Sequence, residues 1–287
     1  MSKTVIITGC SSGFGKLTAQ TMARAGYRVF ATMRGAATKN RGAAEVLRDL
    51  AEAEGLKLEV LELDVTDDVS VERAIEAVIA SAGTLDVVVN NAGVTANGFL
   101  ETFTMEQAQM QFDVNTFGPM RVNRAAVPHM RRARTGVLIH VTSVVARLQF
   151  PFLNVYGASK SALESLVEAY RYELAPFGVD SVAVEPGGFP TEIGENAMHA
   201  TDPDVLEEYG DWASQEDKVF GKLMGDLSVP GAADPQEVAD TILALADTPF
   251  GERPLRSVVG TVATQGVEEF NTHAARLQEA YYQIFSP

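Results

Sequence analysis

Residues 4–15, "TVIITGCSSGFG", run an apolar, β-branched stretch into a loop with three glycines, and "KLTAQTMARAG" (16–26) continues with helical periodicity. A strand that turns through glycine into a helix sets free backbone amides, and the positive end of the helix dipole, at the strand's carboxyl end. That arrangement favours an anion. Gly9 suits a tight turn, Gly13 lets the backbone approach a pyrophosphate, and Gly15 permits close helix–strand packing. The spacing is not G-x-G-x-x-G, so alone the loop reads either as a nucleotide cradle or as a plain strand-to-helix turn.

The same alternation extends along the chain. Short apolar runs recur at 27–32, 57–63, 85–90, 136–143, 179–186 and 256–260, with helical patterns between them. In "DDVSVERAIEAVIASAG" (67–83), Val69, Ala74, Ile75, Val78 and Ile79 are assigned to one buried face, and Gly26, Gly55, Gly83 and Gly178 fall where helices should stop. Strands alternating with helices predict an α/β fold: a doubly wound parallel sheet of about seven strands, with helices on both faces, in one domain over 1–287. Residues 188–232 break the rhythm, hold Trp212, and read as a helical insertion before a last helix at about 234–246; a helical tail follows at about 262–287. In such a sheet ligands bind at the carboxyl ends of the strands, where the order reverses, and the first glycine loop lies there.

Composition narrows the function. The 287 residues carry a formal net charge of −15, which disfavours a nucleic-acid partner. Cys10 is the one cysteine, so no internal disulfide forms. "TVII" reads as a core strand rather than a signal peptide, and no run reaches the ~18 apolar residues of a membrane span. The expectation is a soluble, cytoplasmic protein with no metal site.

The second informative stretch is "VYGASKSALESLVEAYRYEL" (155–174), where Tyr156 and Lys160 share one helix face. A free phenol is a poor acid–base catalyst near neutrality, but a neighbouring ammonium favours the phenolate and lowers its pKa. Ser143 ends the strand "GVLIHVTS" (136–143), with its hydroxyl available to orient a carbonyl, and "NNAG" (90–93) closes the fourth strand at the same sheet edge. Asn115, in "FDVNTFGPM" (112–120), precedes Gly118 and Pro119, which predicts a bent helix whose side chain or carbonyl turns toward a water.

Taken together, the glycine loop, NNAG, Asn115, Ser143, Tyr156-x-x-x-Lys160 and "PGGFPT" (186–191) resemble the short-chain dehydrogenase/reductase family, from Lys3 to about Thr191. The resemblance implies a Rossmann-type fold, a nicotinamide cofactor and hydride exchange with a carbonyl or alcohol carbon. It implies that Tyr156 moves the proton, Lys160 holds the nicotinamide ribose and depresses the tyrosine pKa, Ser143 binds the substrate oxygen, and Asn115 anchors a relay water. Gly9, Ser11, Ser12, Gly13, Phe14 and Gly15 would hold the pyrophosphate. Asp64 and Val65, in "LDVT" and its surroundings, would contact adenine, and Asn90, Asn91, Ala92 and Gly93 would line the adenosine ribose. Pro186, Gly187 and Thr191 would flank the nicotinamide. The lesser alternatives are a helix cap for Asp64 and, for Ser143, a strand-end serine bonded to its own backbone.

The second strand ends "FATMRG" (30–35): Met33 stands where an acid would bind ribose hydroxyls, Arg34 follows, and no Asp or Glu occurs between Gly26 and Glu45. A guanidinium matches a 2′-phosphate, so NADP(H) is favoured over NAD(H). "FATMRG", "NTFGPMRVNRAAVPHMRR" and "YELAPFG" are similar to the 17-beta-hydroxysteroid and retinol dehydrogenase branch and its bacterial relatives, which implies an apolar ketone or secondary alcohol. Phe189, Trp212, Phe220, Leu223 and Met224 are expected to line a lid, and Val94, Thr95, Val145, Leu148, Phe150 and Leu153 to adjoin the substrate. Many relatives pair through the helices carrying Asn115 and Tyr156; "RSVVGTVATQG" (256–266) stands where tetrameric members carry a strand and DGG, so a homodimer is favoured and a tetramer is the alternative. The competing readings are an epimerase or dehydratase on the same scaffold and a non-catalytic NADP-binding regulator; the intact Asn–Ser–Tyr–Lys set favours redox chemistry.

Overall fold

The computed structural model describes residues 2–195, 197–200, 202–227, 229 and 234–285. β1 (Thr4–Ile7), α1 (Gly13–Arg24), β2 (Arg28–Met33), α2 (Arg41–Glu54), β3 (Leu58–Glu62) and α3 (Asp68–Ala82) form the first half. Then come β4 (Val87–Asn90), the short β5 (Ala96–Asn97), α4 (Met105–Phe112), α5 (Gly118–Ala133), β6 (Gly136–Val141), α6 (Asn154–Leu174) and β7 (Val179–Pro186). The remainder is α7 (Glu192–Glu195), β8 (Met198–His199), α8 (Pro203–Glu208), α9 (Gln215–Leu227), α10 (Gln236–Asp247), β9 (Arg256–Val259) and α11 (Val267–Phe285).

All seven apolar runs are strands of one parallel sheet, in the order β3-β2-β1-β4-β6-β7-β9. The order reverses between β1 and β4, with Val5 in register with Val29 on one side and Val87 on the other. Alternate residues feed opposite layers, as the two-residue period of a strand requires. Val5, Ile7, Val29 and Val89 pack with Ala19, Met22, Leu47 and Ile242 of α1, α2 and α10. Ile6, Phe30, Val88 and Leu138 pack with Ile75, Val78, Val122 and Met130 of α3 and α5. Each of these side chains larger than alanine contributes about 1.5–3 kcal/mol by leaving water. The sheet's outer strand β3 keeps Glu59 and Glu62 in solvent, as an edge should.

The expected glycine stops hold: Gly26, Gly55, Gly83 and Gly178 all have positive φ at helix ends. One face assignment fails. Val69 is 59% exposed, and α3 turns Val71, Ala74, Ile75 and Val78 inward, because the helix starts at Asp68 and its buried stripe begins at the fourth residue. Asp67 caps α3, accepting from the Val69 and Ser70 amides, so Asp64 is not the cap. Between α4 and α5 the helix widens into a π turn at 113–117, with the Gly118 amide donating to the Asp113 carbonyl; this is the bend predicted at Asn115. The insertion contains α7, α8, α9 and β8, which pairs with β5 outside it; the sequence pattern did not reveal this strand pair. Its residues 196, 201, 228 and 230–232 lie outside the described residues, as do 286–287 of the tail.

Candidate active site

The glycine loop is fixed from below by the end of β4. The Asn91 side-chain amide donates to the Thr8 and Gly9 carbonyls (2.8 and 3.1 Å), and the Asn91 and Ala92 backbone amides both donate to Thr8 Oγ1 at 3.0 Å. This packing tolerates no side chain at two positions. A Cβ at Gly9, where φ is +73°, would lie 2.8 Å from Ala92 Cα, and one at Gly15 would lie 2.3 Å from the Gly9 carbonyl oxygen. Asn91 is therefore a strut beneath the loop, and Thr8, unremarked in the sequence, is its hinge. Ser12 precedes α1 with an extended backbone and makes no side-chain cap, and the first turn of α1 holds no acid. Phe14 meets Phe189 edge to face, 5.4 Å between centroids, and Thr191 lies within van der Waals reach of Gly13. Cys10 is a packing residue: it is buried, its thiol bonds to the Ile7 carbonyl, and burial pushes it up to about 12.

At the end of β2, Arg34 is exposed and stands near Asp64. Burial pushes the Asp64 carboxyl upward, but two hydrogen bonds from Thr66 (3.0 and 2.7 Å) and the charges of Arg34 and Lys39 hold it below its ordinary value. Lys39 escaped the sequence reading; its only signal was its place in the same turn-rich loop as Arg34. The acid nearest this turn in space is Glu62, paired with Met33, and its carboxylate is occupied by the Gly35 and Ala36 amides at 2.5 and 2.7 Å. Val65 packs against Gly118 rather than standing free.

Three catalytic candidates converge at the carboxyl end of β6. Ser143 accepts from the Val145 amide at 3.3 Å, so the strand-end bond exists, and Ser143 stands close enough to the Tyr156 hydroxyl to favour its phenolate. Lys160 is 3% exposed; its ammonium donates to the Val141 carbonyl at 2.8 Å and lies 5.8 Å from the Tyr156 ring centroid. Burial pushes the Tyr156 phenol up to about 12, against the opposing pull of Ser143, so the lysine does not depress it here. Burial likewise pulls Lys160 down to about 8, opposed by Glu164. Behind Lys160, His140 is pulled down to about 3 by burial and by the lysine, and is neutral.

Asn115 is fully buried, and its side-chain amide is engaged by protein groups. Its Oδ1 accepts from the Val94 amide (2.9 Å), and its Nδ2 donates to the Val94 carbonyl (2.9 Å) and to Ser159 Oγ (3.0 Å). It thereby ties the π turn to the strand-end loop and to α6. Gly93 sits between the two groups: a Cβ there would lie 3.3 Å from Asn115 Oδ1 and 3.4 Å from Lys160 Nζ. Asn90 turns its side chain inward to Asn123 Oδ1 at 2.8 Å, not toward the strand-end loop.

An apolar wall adjoins Tyr156, made of Val144, Val145, Phe150, Leu153 and, from α11, Val267. Val267 was missed because nothing local in "TQGVEE" marks the return of the tail to the sheet. Of the expected lid residues, Phe220 faces Phe150 at 6.4 Å and Leu223 approaches Gly188. Phe189 is core, and Trp212 is 61% exposed and Met224 56%. Pro186 pairs with Val259, and a Cβ at Gly187 would lie 2.3 Å from the Val262 carbonyl oxygen, so this segment is packed against the chain after β9.

Residues 3–202 match the short chain dehydrogenase family. The chain is 35% identical over 218 residues to 3-ketodihydrosphingosine reductase of Bacteroides thetaiotaomicron, covering 76% of each chain. It is 35% identical over 260 residues to human 17-beta-hydroxysteroid dehydrogenase type 1, covering 87% of this chain and 76% of that one. A short-chain dehydrogenase from Streptomyces avermitilis superposes with a TM-score of 0.77 at 30% identity, over 99% of this chain and 97% of the other.

Proposed function

The chain belongs to the short-chain dehydrogenase family and is an NAD(P)-dependent oxidoreductase, and from that premise we propose that it interconverts an apolar ketone and its secondary alcohol, with NADP(H) as cofactor and Tyr156 as proton donor and acceptor. The observation that carries this reading is the convergence of Ser143, Tyr156 and the buried Lys160 at the sheet edge that also holds the glycine loop.

The residues fit the cofactor. A first turn of α1 with no acid of its own, a Ser12 hydroxyl not spent on a cap, and the Gly9–Gly15 backbone suit a pyrophosphate, although the Glu192 carboxylate stands near Gly13; Arg34 and Lys39 suit a further phosphate. Asp64, Ala92 and Gly93 would flank the adenosine, and Lys160, Pro186, Gly187 and Thr191 the nicotinamide end. When bound, the nicotinamide supplies or accepts a hydride. The protein's own part is proton transfer and positioning. A phenol held near 12 is protonated at neutral pH and ready to donate to a carbonyl oxygen as that oxygen gains charge. Ser143 donates to the same oxygen, and the Lys160 ammonium stabilises the phenolate left behind. Asn115 acts through the backbone of Val94, which it holds in place.

The apolar wall beside Tyr156 supports an apolar substrate, with residues 188–232 as its lid. The relatives named for a ketodihydrosphingosine and a hydroxysteroid point the same way. Exposed Met110, Phe117 and Met120, beside an open groove of about 650 Å³, support pairing of two copies across α4 and α5. A cytoplasmic setting belongs to the same reading; among the described residues no helix is long and apolar enough to cross a membrane. The test is consumption of NADPH across a panel of apolar ketones. Tyr156→Phe should bind NADPH and lose turnover; turnover that survives the substitution overturns the mechanism.

A further inference from the structure

Behind Lys160 lies a buried ion cluster that proton transfer does not use. From α6 it takes Glu164 and Glu168, from β7 Glu185, from β9 Arg256, from the turn after Ser143 Arg147, and from α11 Asn271. Arg256 Nε meets Glu164 Oε2 at 2.7 Å and Glu185 Oε1 at 3.4 Å, and its other arm pairs with Glu168. Asn271 donates to Glu185 Oε2 at 2.5 Å, and Arg147 reaches Glu185 at 4.0 Å. Burial, and Glu164 itself, push Glu185 upward.

Arg256 thus has three carboxylates to choose from and does not need Glu164 for neutrality. Lys160 is in the opposite position. It is buried one helical turn before Glu164 on the same face of α6, its ammonium donates to a neutral carbonyl, and its neighbour His140 is neutral. Glu164 is the carboxylate that acts on it. One Glu164 oxygen is held by Arg256, and the other, Oε1, is buried with no hydrogen-bond partner. A buried ammonium persists only where a counter-charge offsets its lost hydration.

We propose that Glu164 is a positioning residue for the reaction: clamped by Arg256, its carboxylate is the buried counter-charge that keeps Lys160 protonated beside Tyr156 and the cofactor. This rests on the role given to Lys160 above, and the test separates the two. NADPH affinity is measured by fluorescence titration from about pH 6 to about pH 10, spanning the window in which a buried lysine titrates. The wild-type affinity falls on an alkaline limb as Lys160 loses its proton, and Lys160→Met removes that limb. Glu164→Gln moves the limb down by at least about one pH unit, while Glu164→Asp, which keeps the charge, moves it by a small fraction of that. Arg256→Gln keeps an amide that can donate to Glu164 but removes the competing cation, so the limb moves up. Shifts of opposite sign are not what a general loss of packing produces. An unmoved limb in folded Glu164→Gln, or the same direction of shift in Glu164→Gln and Arg256→Gln, overturns the proposal. If Glu164→Gln fails to fold, a limb that does not rise in Arg256→Gln overturns it alone. A limb that persists in Lys160→Met overturns instead the assignment of Lys160 to the cofactor.

Discussion

The Lys160 ammonium donates to the Val141 carbonyl at 2.8 Å and stands 5.8 Å from the centre of the Tyr156 ring. The two groups are neighbours without being hydrogen-bond partners. Burial raises the phenol and lowers the ammonium, so each is held toward its neutral form. That cost has a consequence for stability as well as for chemistry.

Lys160→Met should stabilise the protein while removing its activity. The folded protein holds Lys160 at about 8, against 10.5 for a free side chain. Between those values the unfolded chain binds the extra proton, so this group's contribution to stability improves as pH rises through the window and is least favourable below about pH 8. Removing the charge should therefore raise the melting temperature at neutral pH by a few degrees, an expectation of about 1–2 kcal/mol after allowing for the lost Val141 bond. The gain should shrink toward pH 10.5. Thermal melts at several pH values check this, and a lower melting temperature at neutral pH would contradict it.

Asn115→Ala should cost about 2–4 kcal/mol in urea unfolding. The Val94 amide, the Val94 carbonyl and Ser159 Oγ would each lose a buried partner. Because the lost bonds hold the π turn against α6, turnover should fall with stability. A variant as stable as wild type would mean that the clamp is not needed to hold the loop.

The fold was legible because its strands are short, buried and β-branched, and seven such runs became seven strands. The loop, Ser143, Tyr156 and Lys160 were legible because sequence spacing brings them to one sheet edge. Val69 was misassigned because one residue of helix phase decides which face a side chain takes, and only the Asp67 cap fixes that phase. Asn90 and Asn91 are adjacent, yet one turns inward to Asn123 and the other outward to the glycine loop, because successive strand side chains point to opposite faces. The neutral His140 and the cluster around Arg256 are long-range assemblies in which partners lie up to 124 positions apart, beyond the reach of local pattern.

Gly15→Ala should disable the cofactor site. Its Cβ would lie 2.3 Å from the Gly9 carbonyl oxygen and 2.4 Å from Asn91 Nδ2, so either the loop or its strut must move. Gly42→Ala, on exposed α2 with nothing within 4 Å, is the matched control and should leave binding intact. Calorimetric titration with NADPH separates the two, and equal affinities would remove the loop from the site.

Phe117→Glu combined with Met120→Glu should convert a dimer to a monomer. Phe117 is 48% exposed and Met120 46%, on the outward side of the π turn and the start of α5. Unpaired apolar side chains in such a row favour self-association, and a charge at each opposes it. Light scattering gives the mass directly; a monomeric wild type would end the argument.

Arg34→Asp should discriminate between the two nicotinamide cofactors. Arg34 is exposed at the end of β2, near Asp64, whose carboxylate is bonded to Thr66, while Glu62, paired with Met33, is bound to the Gly35 and Ala36 amides. A guanidinium bonded to a phosphate is worth about 1.5–3 kcal/mol, so NADPH affinity should fall about 10- to 100-fold. Replacing the cation by an acid also adds repulsion, while the ribose hydroxyls of NADH gain an acceptor, so NADH affinity should hold or improve. Lys39→Ala should weaken NADPH alone, and by less, because an ammonium at this exposed turn acts through charge without the fork geometry of arginine. Parallel titrations of both cofactors against the three proteins decide it: equal losses for NADPH and NADH in Arg34→Asp would withdraw the preference for NADP(H).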